Sequence, residues 1–248
     1  MSYSLILPTF NEEGHIVNLI KKIQKIFVKF KCKYEIIIID DNSTDNTQKN
    51  IKKEINSNHV KLFVRKKKKN LVDSINEGIL RSSNHYIIWL DADFQHPPHY
   101  IKKFIKYSKK YDVIIFSRFL KNSKRFYDNN KNIKNSNTNF SNYLNKLGKI
   151  FLYKDITDYT SGFICVNKKF LKEKLAGYYG DYFINLIYEL KSQKAKILEL
   201  PFTERIRKTG ESKTTGGNIS YLIKLFYYFY TFLKIIIIKN LHLKKKYH

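Results

Sequence analysis

Two rhythms of apolar residues alternate along the first half of the chain. Short continuous apolar runs at residues 3–8, 34–39, 60–64, 86–90 and 113–116 predict strands. The Ile-rich run at 34–39 has the unbroken apolar character of a strand buried on both faces. Between the first two runs, Ile16, Leu19, Ile20, Ile23, Ile26 and Phe27 recur at helical spacing. Residues 71–80 read as a second helix, and Pro97-Pro98 can open a third because proline fits a first helical turn. This β-α-β-α order predicts an α/β fold, a mostly parallel sheet with helices on both faces. Ligands of such sheets bind beyond the carboxyl ends of the strands.

The second half is less regular. Residues 121–139 are rich in Asn and Lys and predict a loop, either a lid or a plain linker. A helix is expected at 139–153, a strand at 160–166, a helix at 182–190, a strand at 195–200 and a polar loop at 210–217. Residues 219–238 are apolar and aromatic, with Lys239 and Lys244-Lys245-Lys246 behind them. That run is roughly long enough to span a bilayer. Lys224, Thr231 and Lys234, however, fall near one helical face with Tyr227 and Tyr228 beside it, which favours a helix lying in a membrane interface. A spanning helix and a soluble core helix are the alternatives. The chain therefore divides into an α/β domain at 1–218 and a membrane-associating helical tail at 219–248.

The net charge is +26, from 47 Lys and Arg against 21 Asp and Glu. Such a balance favours polyanions: nucleic acid, anionic lipid or phosphate-bearing substrates. A composition biased to Lys, Asn and Ile accounts for part of it. Cys32 and Cys165 form no Cys-x-x-Cys pair, so a reducing environment is expected. The chain opens on a strand-like run, and no signal peptide is expected. The seven histidines are scattered, and His96 reads as a loop residue rather than a ligand.

The acidic minority matters more, because it clusters at strand ends. Asp91-Ala92-Asp93-Phe94-Gln95 follows the fourth strand. Paired carboxylates there suit Mg²⁺ or Mn²⁺, which keep waters and bridge substrate phosphates. Such an ion offsets the charge that builds on a departing nucleoside diphosphate. A solvated turn is the plainer alternative. Asp40-Asp41-Asn42-Ser43-Thr44-Asp45 follows the second strand; Asp41 could accept a hydrogen bond from a base or ribose, or the cluster could simply cap a helix. Pro8-Thr9-Phe10-Asn11-Glu12-Glu13 is a third such junction. Three polar strand ends meeting at one sheet edge are less expected by chance than any one alone.

These segments, together with His96-Pro97-Pro98, Ser117-Arg118, Asp158-Tyr159-Thr160-Ser161-Gly162-Phe163 and Arg207-Lys208-Thr209-Gly210-Glu211-Ser212-Lys213, resemble family 2 glycosyltransferases. Within that family the likeness is to dolichyl-phosphate mannose synthases and related polyprenyl-phosphate glycosyltransferases, over roughly residues 3–217. The resemblance implies a GT-A, Rossmann-like fold and an inverting transfer of a hexose from GDP-mannose or UDP-glucose to a polyprenyl phosphate. It implies that Asp93 and Gln95 ligate Mg²⁺ or Mn²⁺ and that Asp91 holds the donor near its ribose or diphosphate. Pro8, Phe10, Glu12, Ile39 and Asp41, with Ala92 and Asp93, would line the nucleotide-sugar pocket. Arg118, Arg207 and Lys213 would meet phosphates, with Arg118 and Arg207 on the acceptor and Lys213 on the donor. Asp91, Asp93, Arg118 and Arg207 form the expected catalytic set. An acceptor phosphate is already largely ionised, so it needs positioning and charge relief more than a general base, and arginine forks supply both. The expected setting is the cytoplasmic face of a membrane, with a small membrane subunit as a possible partner. The chain departs from the family at Asn70-Leu71, where glycine is usual, and at Phe10, where Tyr is common.

Other readings stay open at this point. A transferase acting on a sugar hydroxyl would call for a further carboxylate as base, and no motif supplies one. A nucleic-acid-binding protein would suit the charge, but the acids at the strand ends would repel a phosphate backbone. A non-catalytic scaffold sits poorly with the intact Asp91, Asp93 and Gln95.

Overall fold

The computed structural model describes residues 1–67, 69–125, 136–171, 174–205 and 218–246. In chain order the elements are β1 (Ser2–Thr9), α1 (Ile16–Lys29), β2 (Lys33–Asp40), α2 (Thr47–Glu54), β3 (Val60–Val64), α3 (Leu71–Arg81) and β4 (Tyr86–Trp89). There follow α4 (Ile101–Tyr107), β5 (Val113–Ser117), β6 (Lys124–Arg125), α5 (Ser136–Phe151), β7 (Ile164–Asn167), α6 (Tyr182–Ser192), β8 (Ile197–Pro201), β9 (Thr203–Glu204) and α7 (Asn218–Lys246). Seven strands form one sheet in the order β3-β2-β1-β4-β7-β5-β8, while β6 and β9 pair in a small separate sheet. All pairings are parallel except those of β7, which runs antiparallel to both β4 and β5. The expected mostly parallel sheet is present, and one reversed strand in its middle is the addition.

Period-two alternation along each central strand divides the apolar residues between two cores. Tyr3, Leu5, Leu7, Ile36, Ile38, Ile88, Ile114 and Phe116 pack on one face with Leu19, Ile23 and Phe27 of α1 and Phe104 of α4. Ile6, Ile37, Ile39, Ile87, Trp89 and Ile115 pack on the other with Val72 and Ile75 of α3 and Phe183 and Ile187 of α6. Of the α1 positions that repeat at helical spacing, Ile16, Leu19, Ile20, Ile23 and Phe27 are buried and Ile26 is half-buried. Gly78 lets α3 lie directly on β1, because a Cβ there would collide with the Ile6 side chain.

The expected strand at 160–166 begins only at Ile164. The residues before it form a turn fixed by side chains rather than by a ladder. Within the expected loop at 121–139, Lys124–Arg125 forms β6 and Ser136 opens α5; residues 126–135 lie outside the described set.

The long C-terminal helix docks on the body through one side. Thr231, Phe232 and Ile235 are buried there, and Thr231 Oγ1 donates to Asp181 Oδ2 at 3.3 Å. Lys239 Nζ donates to the carbonyls of Phe151 (3.2 Å) and Leu152 (3.0 Å), satisfying groups left over at the end of α5. Phe226, Phe229, Tyr230, Leu233 and Ile237 stay exposed on this helix. The sequence grouped Thr231 with Lys234 as one polar stripe; instead Thr231 faces the protein because Asp181 offers it a buried partner. Among the described residues no helix is long and apolar enough to cross a membrane.

Candidate active site

The loops after β1 and β2 interlock. Asn11 and Asn42 take left-handed backbone conformations, φ 52° and 61°, which asparagine tolerates better than most residues. The Asn11 N–H donates to Ser43 Oγ at 2.9 Å, and Asn11 Oδ1 accepts from the Thr44 N–H at 2.8 Å. The Glu12 N–H donates to Thr47 Oγ1 at 2.8 Å. Asp40 is turned into its own loop, accepting from the Ser43 N–H (2.9 Å) and Gln48 Nε2 (2.7 Å).

Asp41 is buried against Arg65, at the tip of β3. Its Oδ1 accepts from Arg65 Nη1 and its Oδ2 from the Asn70 N–H at 2.8 Å. The same guanidinium reaches Ser74 Oγ (3.0 Å) and Asp73 Oδ2 (3.3 Å). Burial pushes the Asp41 carboxyl above its usual range, against the pull of the Asn70 N–H and Arg65. Asn70 caps α3: its side chain accepts from the Val72 and Asp73 N–H groups. A groove of about 710 Å³ lies beside this pair, lined by Arg65, Lys66, Lys67, Asp73 and Leu80 among others; none of Asp91, Asp93 or Arg118 lines it.

Among the other residues expected around a nucleotide, Glu12 is buried, while Pro8 and Phe10 are half-buried. Lys69 Nζ stands 3.6 Å from the centre of the Phe10 ring. Ile39, expected beside the nucleotide, has its side chain wholly buried in the same core cluster as Val72 and Ile75.

At the tip of β4, Asp91 is exposed while Ala92 and Asp93 are buried. Phe94 takes φ 68°, and the Gln95 N–H donates to Asp93 Oδ1 at 3.0 Å, closing a tight turn. The Asp91 N–H donates to His96 Nδ1 at 3.1 Å, so that nitrogen carries no proton. His96 stacks on Phe163 with 4.8 Å between ring centres and meets Phe202 edge-on. Burial pushes its pKa down to about 4. The imidazole is neutral near pH 7, and its 3.7 Å approach to Asp91 Oδ2 is not an ion pair.

The donor atoms at this tip are two carboxylates and an amide. Among the described residues no group of three or more His, Cys, Asp and Glu is placed to enclose a metal. A site with so few protein ligands suits Mg²⁺ or Mn²⁺, which take their remaining ligands from water and substrate phosphate. The residues present fit such an ion.

At the tip of β5, Arg118 is nearly buried. Its Nε donates to Asp158 Oδ2 and its Nη2 to Asp158 Oδ1, both at 2.9 Å, and its backbone N–H adds a third bond at 3.0 Å. Nη2 also reaches the Thr160 carbonyl at 2.6 Å. Nη1 lies 3.7 Å from Glu204 Oε1. Burial opposes the charge on Arg118, but Asp158 outweighs it and the guanidinium stays firmly protonated. For Asp158 burial is likewise overcome, by Arg118 and by N–H donors, and its carboxyl is held below the usual range.

The β4 and β5 tips meet through residues 203–205. The Arg205 N–H donates to the Gln95 carbonyl at 3.1 Å, and the adjoining Glu204 faces Arg118. Arg207 and Lys213 lie outside the described residues. Sequence reasoning gave no role to Arg65, Asp158 or Glu204. For Arg65 a signal was present: like Arg118, it directly follows a strand.

The sequence matches the family description Glycosyl transferase family 2 over residues 4–175. A dolichol-phosphate mannosyltransferase of Pyrococcus furiosus is 32% identical over 222 residues, 88% of this chain and 61% of that protein. The chain thus spans about three-fifths of the length of that relative. A Proteus mirabilis undecaprenyl-phosphate 4-deoxy-4-formamido-L-arabinose transferase is 30% identical over 114 residues, 45% of this chain and 35% of its own. The Saccharomyces cerevisiae dolichol-phosphate mannosyltransferase is 23% identical over 228 residues, 87% of this chain and 82% of that one. Among solved structures, glucosyl-3-phosphoglycerate synthase of Mycobacterium tuberculosis, in complex with Mn²⁺, uridine diphosphate and phosphoglyceric acid, superposes with a TM-score of 0.68 at 14% identity, covering 95% of this chain and 78% of that one. The fold is GT-A-like. A family match over most of the chain, on a sheet whose polar strand tips converge, makes this protein a family 2 glycosyltransferase.

Proposed function

We propose that the enzyme transfers a hexose, mannose or glucose, from GDP-mannose or UDP-glucose to a polyprenyl phosphate, with inversion at the anomeric carbon. The observation that carries this reading is the meeting of opposite chemistries at one sheet edge: Asp91 and Asp93 at the tip of β4, and Arg118 reached from Gln95 through residues 203–205. The names of the archaeal, yeast and Proteus relatives supply the acceptor class. Asp93 and Gln95 would hold Mg²⁺ or Mn²⁺, whose charge offsets that of the departing diphosphate. Exposed Asp91 faces the donor ribose or diphosphate. Pro8, Phe10, Glu12 and Ala92 bound the donor side, and Asp41 acts there by fixing Arg65 and the Asn70 backbone.

Arg118 is aimed by Asp158, which takes the Nε and Nη2 side of the fork and leaves the Nη1 side for an acceptor phosphate, with Glu204 as competitor. Arg207 joins it on the acceptor, and Lys213 on the donor diphosphate. A phosphate acceptor arrives ionised, so these cations orient it and relieve its repulsion from the donor. Residues 1–218 are the catalytic unit in this reading. Residues 219–248 lie on the cytoplasmic face of a membrane through the exposed Phe226, Phe229 and Leu233 side of α7, where a small membrane subunit could also dock.

The test is incubation with candidate nucleotide sugars, Mn²⁺ and a polyprenyl phosphate, followed by mass analysis of the lipid. A hexosyl-phosphate lipid is expected, and Asp93→Ala is expected to abolish it while the variant stays folded. Sugar appearing only on hydroxyl acceptors, or undiminished turnover by Asp93→Ala, would overturn the reading.

A further inference from the structure

The turn that aims Arg118 is itself held in an unusual way. Four successive backbone N–H groups, at residues 157–160, each find a side-chain acceptor. Thr157 N–H donates to Glu199 Oε2 at 2.7 Å and Asp158 N–H to Glu199 Oε1 at 3.1 Å. Tyr159 N–H donates to Asn145 Oδ1 at 2.6 Å, and Thr160 N–H to Asp158 Oδ1 at 3.0 Å. Two of these acceptors come from elsewhere in the fold, Glu199 from β8 and Asn145 from α5. The Tyr159 ring also sits against Gly148 of α5, where a Cβ would collide with it.

Neither Glu199 nor Asn145 is explained by packing alone. Asn145 is 3% exposed, and its Nδ2 has no partner among the described residues. A buried amide donor left unpaired is costly, and leucine would fill similar space without that cost. Glu199 is a carboxyl placed where burial disfavours its charge, pushing its pKa up to about 7. Both costs are incurred at the same place, and each contact they secure fixes the backbone on either side of Asp158.

We propose that Glu199 and Asn145 are positioning residues for the acceptor phosphate: they fix the 157–160 turn so that Asp158 presents the Arg118 fork in one orientation. The chain of contact runs from Glu199 and Asn145 to the turn, from Asp158 to Nε and Nη2, and so to the Nη1 side that faces Glu204. This rests on the reading that Arg118 meets the acceptor.

The test uses the full-length protein with Glu199→Gln, Glu199→Leu and Asn145→Leu. Glu199→Gln keeps the shape and one acceptor oxygen, and serves where the leucine variants do not fold. The expected result is a rise of about tenfold or more in KM for polyprenyl phosphate, the order a displaced positioning group produces, larger for Glu199→Leu than for Glu199→Gln. The dissociation constant for the donor nucleoside diphosphate should stay unchanged. Amide hydrogen exchange should accelerate at residues 157–160 and not in β1, and the Arg118 Nε–H resonance should move toward that of a solvated arginine. Donor affinity falling in step with acceptor affinity, or an unchanged acceptor KM, overturns the proposal. A wild-type enzyme that transfers nothing to a phosphate lipid overturns the acceptor reading itself; an unmoved Arg118 Nε–H signal in the variants overturns the positioning role separately.

Discussion

Two buried Arg–Asp pairs stand at strand tips on opposite halves of the sheet, and they are built differently. In the first, Asp41 at the end of β2 meets Arg65 at the end of β3; the partners lie on adjacent strands, and the carboxylate receives Arg65 Nη1 and the Asn70 N–H. In the second, Arg118 at the end of β5 meets Asp158 on a turn 40 residues later, and the carboxylate receives Nε, Nη2 and two backbone N–H groups, of Arg118 and Thr160. The directions of titration differ accordingly. Burial wins at Asp41 and raises its pKa, whereas donors win at Asp158 and lower it. The lesson is that an ion pair does not by itself set the direction in which a carboxyl's pKa moves; the balance of burial against the donors converging on it does. The first pair rivets two loops together, while the second holds an arginine in a fixed pose.

The comparison breaks most readily at the acids. Asp158→Ala removes both fork bonds of the Arg118 guanidinium and the acceptor of two backbone N–H groups, leaving Arg118 with Thr160 and the approach to Glu204, and should cost about 3–5 kcal/mol. Asp41→Ala should cost less, about 1–3 kcal/mol, because Arg65 keeps Ser74 and Asp73. Urea unfolding of the two variants checks the order, and equal losses would remove the distinction drawn here.

A next test is pH. The folded protein keeps a proton on Glu199 up to about 7, where the unfolded chain gives it up near 4.5. Stability from this group therefore falls as pH rises through that window, by at most about 1.4 kcal/mol per pH unit. His96 acts in the opposite sense: the unfolded chain gains a proton near 6.5 that the folded protein refuses until about 4, so stability falls as pH drops between those values. Glu199→Gln should remove the first slope and leave the second, so acid destabilisation between pH 6.5 and 4 should look steeper than in the wild type. Denaturation midpoints across pH 4–8 measure this; parallel curves would refute the Glu199 contribution.

Two smaller effects sharpen the contrast. Asn70→Ala removes the cap of α3 beside the first pair and should cost about 1 kcal/mol in thermal or urea unfolding, with the Arg118 Nε–H resonance unmoved. Thr231→Val removes the bond from α7 to Asp181 and should cost about 0.5–1 kcal/mol, because Asp181 keeps the Tyr178 and Tyr179 N–H groups. Faster amide exchange in α7, with none at β2, would place that loss on the tail alone.

Local rhythm fixed the parallel strands, the amphipathic α1 and α3, and the polar strand tips, because period and turn chemistry are carried by neighbouring residues. Asp91, Asp93 and Gln95 were legible for the same reason: they are two residues apart on one turn. The burial of Ile39 in the core was not legible from its motif, because a residue at a strand tip can pack inward. What only the tertiary structure decided are the partners distant in sequence: Arg65 for Asp41, Asp158 for Arg118, Asn145 and Glu199 for the turn between them, and Asp181 for Thr231. Charge and hydrogen-bonding capacity are written in each residue, but which of them is satisfied, and by what, depends on which strands lie side by side. The reversal of β7 between β4 and β5 is of that kind, since a strand's direction is set by the neighbours it pairs with and not by its own composition.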